Sequence, residues 1–282
     1  MLAVAFPVVY GASAFQVAPV LKTPPSPYAA LSHIDAVHAI LADGWTLTSA
    51  GAAKLESDIE RNPENLAARI RLLSYYTQYI VQPELRSKHL LWLIEHHPDS
   101  DVFQLSTPVT AMVPDYSGVK SPDIEKARAL WLQQAERFDT NAKVLANAVT
   151  VLEPSDARIR LELLKRLRAL EPQNPEWLEW QAGVYATAVR ASFADGIPRV
   201  RSLPGAGKQT VHFPFNLPLV ESRSLKSELE SSSDVALVGS TADAVLREIA
   251  LLKNRFAADP EIQASEAFAN QLQARAQQLK SR

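Results

Sequence analysis

Two short stretches carry residue patterns that do chemistry in other proteins. Pro204-Gly-Ala-Gly207-Lys208-Gln209-Thr210 has the Gly-Lys close of a phosphate-binding loop, where backbone N–H groups and a lysine cradle phosphate oxygens. Position 202, where the leading glycine belongs, is Ser202, and position 209, where the metal-binding hydroxyl belongs, is Gln209. No strand-then-helix pattern surrounds it, so it reads as a flexible loop. Ser117-Gly-Val-Lys120 matches the short Ser-x-x-Lys pattern of a nucleophilic serine, but neither Ser-Asp-Asn nor Lys-Thr-Gly accompanies it.

The histidines offer little more. His33 and His38 are five apart, which misses the four-residue spacing of a helical metal pair. His89, His96 and His97 share one predicted helix, yet His96 and His97 point about 100° apart. They read as exposed or partly packed imidazoles. The chain has no cysteine, which excludes disulfides, Cys-ligated zinc and a thiol nucleophile. No nucleophile elbow occurs, and no carboxylate pair is placed face to face by periodicity. No catalytic residue, no metal site and no cofactor is expected, and the chain reads as a non-enzyme.

Composition narrows the class further. The 282 residues are 47% apolar, enough for a substantial core. Charged residues are 21% and the formal net charge is −2, which speaks against a nucleic-acid partner held by phosphate contacts. Residues 1–31 form a separate segment. Leu2 to Tyr10 is almost wholly apolar, and Ala12-Ser13-Ala14 supplies the small-x-small pattern that a signal peptidase accepts. Export to a periplasmic or secreted location is the expectation, although no Lys or Arg precedes the run. The alternative is an apolar tail on a cytoplasmic protein. No integral membrane span is expected after processing, because Pro7, Gly11, Gln16 and Pro19 interrupt the stretch. Lys22-Thr-Pro-Pro-Ser-Pro27 then reads as a stiff linker.

Residues 32–282 carry helical patterning with marked ends. Ile59-Glu-Arg-Asn-Pro63-Glu-Asn65, Ile94-Glu-His-His-Pro98-Asp-Ser100 and Leu170-Glu-Pro172-Gln-Asn174 share one form, and Phe138-Asp-Thr140-Asn-Ala142 repeats it without proline. The marked positions Pro63, Pro98, Thr140 and Pro172 thus recur at steps of roughly 32 to 42 residues, the range of helical repeats. Helices are expected over 32–41, ended by Asp43-Gly44, and over 48–61, 66–80, 84–96, 122–137, 142–152, 156–170, 174–193, 234–252 and 262–279. Two irregular insertions, 101–121 and 195–220, interrupt the pattern, with helical patterning returning at Leu225 to Leu229.

The spacing and residue types resemble the tetratricopeptide family, in a degenerate form, over roughly residues 50 to 190. Aligning Pro98 with Pro172 superposes the two hairpins before them without gaps. Ile70 then pairs with Val144, small Ser74 with small Ala148, Leu90 with Leu164 and Leu93 with Leu167. Leu178, Ala182 and Tyr185 continue the series. Arg86 and Arg160 depart from it, standing where the family usually has alanine.

The resemblance implies an all-α fold, an α-solenoid of antiparallel helical hairpins with irregular insertions, and a non-enzymatic scaffold that binds a protein or peptide partner. Groove-facing positions of the family fall on Arg71, Tyr75 and Gln78, on Leu145, Val149 and Leu152, and on Glu179. Trp177 and Trp180 are candidate anchors if exposed; the alternative is that both pack into the helix stack. Arg158 to Arg168 forms a basic amphipathic helix, which allows a second reading as an envelope-associated assembly or lipid-contact factor. A third is an enzyme whose site is built by the two irregular insertions.

Overall fold

The computed structural model describes residues 33–78, 83–105, 122–152, 156–193, 199–203, 207–211, 217–256 and 259–282. Its helices are α1 (His33–Trp45), α2 (Ser49–Arg61), α3 (Leu66–Gln78), α4 (Pro83–His96), α5 (Val102–Leu105), α6 (Pro122–Arg137), α7 (Ala142–Val151), α8 (Ala157–Leu170) and α9 (Pro175–Phe193). Two short strands follow, β1 (Arg199–Leu203) and β2 (Gly207–Val211), and then α10 (Leu219–Ser231), α11 (Val235–Phe256) and α12 (Pro260–Lys280). Among the described residues the fold is all-helical apart from that hairpin. Residues 1–31, the Ser-x-x-Lys stretch and Pro204 to Ala206 lie outside the described residues.

Four connections are built alike. The chain leaves a helix at Asn62, His97, Phe138 or Glu171, whose N–H bonds the carbonyl four residues back. Three residues on, the N–H of Asn65, Ser100, Asn141 or Asn174 returns to that residue's carbonyl at 3.2, 3.0, 2.9 and 3.1 Å. That fourth residue then caps the next helix: Asn65 Oδ1 accepts from the Ala68 N–H, Ser100 Oγ from Val102, Asn141 Oδ1 from Lys143 and Val144, and Asn174 Oδ1 from Glu176. Proline fills the second turn position in three of them, where its fixed φ suits the turn. In the other, that position is Asp139, one residue before the Thr140 that sequence form suggested. The turns are therefore slightly more evenly spaced than the sequence form implies.

Two sequence expectations are corrected. Asp43-Gly44 does not end the first helix, which runs on to Trp45. Gly44 is instead a crossing point: a Cβ there would lie 2.5 Å from the Arg71 carbonyl oxygen and 2.6 Å from Ser74 Cβ. Only glycine lets α1 approach α3 this closely, and Ser74 Oγ donates to the Leu41 carbonyl beside it at 2.9 Å. Residues 195–220 are not wholly irregular either. Arg199 pairs with Val211 and Leu203 with Gly207 in the antiparallel hairpin, and helix α10 begins at Leu219.

Packing follows chain order. α1 and α2 both lie on α3, α3 on α4, α7 on α8, α8 on α9, and α11 on α12; α4 also meets α6, and α9 meets both α10 and α11. The small residues Ser74, Ala148 and Ala182 are all buried at such contacts. One apolar core runs from Val37 to Ala276, and a smaller cluster joins Ala52 and Ile59 of α2 to Ala68, Leu72, Tyr75 and Tyr76 of α3.

Candidate functional site

The residues expected to line a groove fall on three helices. On α3, Arg71 is half-buried and its Nε is enclosed without a hydrogen-bond partner. Tyr75, one turn on, is buried; its hydroxyl donates to Ser49 Oγ at 3.2 Å and its ring meets Tyr76 edge-on. Tyr75 thus closes the contact between α2 and α3, and a groove role for it would require that contact to open. Gln78 ends α3, and its side chain lies outside the described residues.

The middle set is not open to solvent. Leu145 and Val149 of α7, and Leu152 just after it, are buried, as are Val144 and Ala146 to Ala148 around them. Asn147, on the same helix, donates through Nδ2 to the carbonyls of Pro98 and Ser100 at 2.8 and 3.0 Å. A helix wrapped on all sides is a core helix.

On α9 the three candidates come together but divide in role. Trp177 is buried, and its Nε1 donates to the Glu171 carboxylate at 2.9 Å. Trp180 meets it edge-on at 5.3 Å and is half-buried against the main core. Both tryptophans therefore belong largely to the helix stack. Glu179 is exposed, and a Cβ at nearby Gly183 would meet nothing within 4 Å. This leaves an accessible strip of α9 formed by Glu179, the outer edge of Trp180 and Gly183.

The structure also assembles a polar cluster that sequence reading passed over. His89 on α4 is fully buried, and its Nε2 lies 2.8 Å from Glu56 Oε1 on α2. Tyr76 on α3 donates to the same oxygen at 3.1 Å, and Lys88 donates to Oε2 at 3.1 Å. Tyr76 and His89 stack at 5.9 Å. With the carboxylate accepting, Nε2 carries the imidazole proton, and Nδ1 is enclosed without a partner.

Burial holds the His89 pKa below its ordinary value, despite the carboxylate beside it. Partial burial pushes Glu56 upward, but the hydrogen bonds from His89 and Lys88 and their charges outweigh it and hold the carboxyl low. Burial and the Glu56 charge raise Tyr76. Glu56 thus carries three donors on two oxygens, which suits a clasp between α2, α3 and α4 better than a proton-transfer role.

The basic helix α8 is already engaged inside the molecule. Arg160 Nε donates to the Val149 carbonyl, Arg166 to the Ala135 carbonyl, and Arg168 to Gln181 and Asp234, while Arg158 pairs with Glu228. Arg86, which falls on Arg160 when Pro98 is aligned with Pro172, reaches from α4 to the Thr77 hydroxyl near the end of α3, a side-chain acceptor where Arg160 takes a backbone one. These two arginines depart from the family pattern in the same way and tie the second helix of each pair to the end of the first.

Among the described residues no group of three or more His, Asp or Glu could hold a metal ion, and no helix is long and apolar enough to cross a membrane. Comparison of the chain with protein-family models, with characterised proteins and with solved structures gives no match.

Proposed function

We propose that this chain is a degenerate tetratricopeptide-like solenoid acting as a non-enzymatic scaffold for a protein or peptide partner. The observation that carries the reading is the set of four equivalent turn-and-cap connections at Asn62, His97, Phe138 and Glu171. One connection used four times, at steps not far from the repeat length of about 34 residues, is what stacked helical pairs require. The Arg86 and Arg160 contacts support it, because each arginine on the second helix of a pair bonds near the end of the first. In such an array the function lies on the faces that packing leaves open, here Arg71 on α3 and the Glu179–Trp180–Gly183 strip on α9.

The internal engagement of α8 weighs against a lipid-contact role, since a basic face must be free to meet anionic headgroups. Export remains part of the proposal, on the strength of the apolar run and the Ala12-Ser13-Ala14 site.

A photo-crosslinking residue at Glu179 in the native cells tests the reading. One dominant protein adduct, absent when the crosslinker stands at exposed Glu60 on α2, is the expected result. No adduct at Glu179, or the same adduct spectrum at both sites, overturns a partner surface on α9.

A further inference from the structure

We propose that Arg71 and Trp45 anchor an acidic segment of the partner protein, one that sets an Asp or Glu beside an apolar side chain. The inference rests on the scaffold reading and narrows its partner.

Among the arginines whose side chains are described, every other one that is not exposed has an acceptor or a ring to meet. Arg69 donates to the Pro63 carbonyl and lies over Trp92 at 3.9 Å; Arg128 meets Asp156, Arg190 meets Glu248, and Arg275 bonds the Leu229 and Ser232 carbonyls. Arg71 breaks the pattern. Its Nε is shielded from water without an acceptor, while the outer nitrogens of the guanidinium are not enclosed. A partly desolvated cation with no counter-charge is costly alone and gains most from an incoming carboxylate. Asp43, beside Gly44 on the facing helix, is itself engaged in an interaction.

Geometry supplies the second half of the anchor. The Gly44 Cβ position falls 2.5 Å from the Arg71 carbonyl oxygen, so α1 and α3 meet at Arg71 with no side chain between them. Trp45 is the next residue and is 48% exposed, the most exposed aromatic side chain among the described residues. Gly44 thus sets Trp45, which carries an open indole, and Arg71, which carries an unpaired guanidinium, as backbone neighbours at one helix crossing. Tryptophan and arginine are the residues that most often dominate interface energies. The charge of Arg71 makes the matching segment acidic, and Trp45 makes it apolar next to the acid.

The test is selection from a random-peptide library on the full-length chain, followed by fluorescence anisotropy of enriched peptides. The account expects peptides carrying Asp or Glu next to an apolar residue. Their binding should weaken about tenfold or more in Arg71→Gln and in Trp45→Ala, and less in Arg71→Lys, with all three variants showing a single cooperative melting transition like wild type. Binding should also weaken as salt is raised. Enriched peptides that ignore both substitutions, or that lack acids, overturn this site while leaving the scaffold reading intact. A selection that yields no binder overturns both.

Discussion

Ser74 donates its hydroxyl to the Leu41 carbonyl at 2.9 Å, at the point where the Gly44 backbone lies on α3. One small residue on each helix sets the separation of α1 and α3. Gly44→Ala adds a methyl that overlaps the Arg71 carbonyl oxygen, and backbone cannot swing aside as a side chain does. The expected net cost is about 1–2 kcal/mol, overpacking outweighing the helix propensity gained. A lower urea midpoint with an unchanged slope checks it, and an unchanged midpoint contradicts the close crossing.

Asn147 joins α7 to the turn between α4 and α5. Asn147→Ala leaves the buried Pro98 carbonyl without its donor and the Ser100 carbonyl with only the Phe103 N–H, and should cost about 2–3 kcal/mol in thermal or urea unfolding. The cap on the same helix is worth less, and Asn141→Ala should cost about 1 kcal/mol while Asn141→Asp stays near wild type. Equal losses for the two alanine variants would contradict the difference in burial.

The Glu56–His89 clasp predicts acid sensitivity. The folded His89 pKa is lowered by burial, so the neutral imidazole contributes stability above the ordinary range of about 6.5, and this is lost as pH falls. Glu56 is also lowered, so its contribution is present above the ordinary carboxylate value and is lost below it. Both act in one direction, with His89 first. The urea midpoint of wild type should fall between pH 7 and 5, and His89→Gln should flatten that limb at the expense of stability at pH 7. A wild-type midpoint constant over that range would contradict the buried neutral state.

Trp177 and Glu179 separate packing from surface. Trp177→Ala should cost about 3–5 kcal/mol, because it removes a buried indole and its hydrogen bond to Glu171. Glu179→Ala should leave the melting transition in place. The reverse order of effects would mean that α9 presents the other face.

Helix placement was legible because capping chemistry is local. Asn65, Ser100 and Asn174 sit two residues after a proline; Asn65 and Asn174 cap helices that a sequence reading starts there, while Ser100 caps the short α5, which lies inside the stretch 101–121 expected to be irregular. Asp139 was harder, since without proline nothing local separates it from Thr140. Gly44 looks like a stop in the sequence because glycine is both a helix breaker and a contact residue, and only the position of α3 decides between the two.

The polar cluster left a fainter trace. His89 lies four residues after Leu85 and four before Leu93, on the apolar stripe of α4, while Glu56 lies four after buried Ala52. Each signal marks a polar residue turned inward, but the two are far apart in the chain and their pairing depends on how α2 docks. The burial of Leu145 and Val149 was invisible for the same reason: a family's groove positions are open only when no further segment covers them.

The central claim is that the chain works by holding another protein. Affinity capture of the full-length chain, tagged at its carboxy terminus, from separated cytosol and envelope of its own cells tests it directly. The account predicts one stoichiometric partner from the envelope fraction, its recovery reduced when Arg71→Gln replaces wild type at equal abundance. A chain recovered alone from every fraction would contradict the scaffold account.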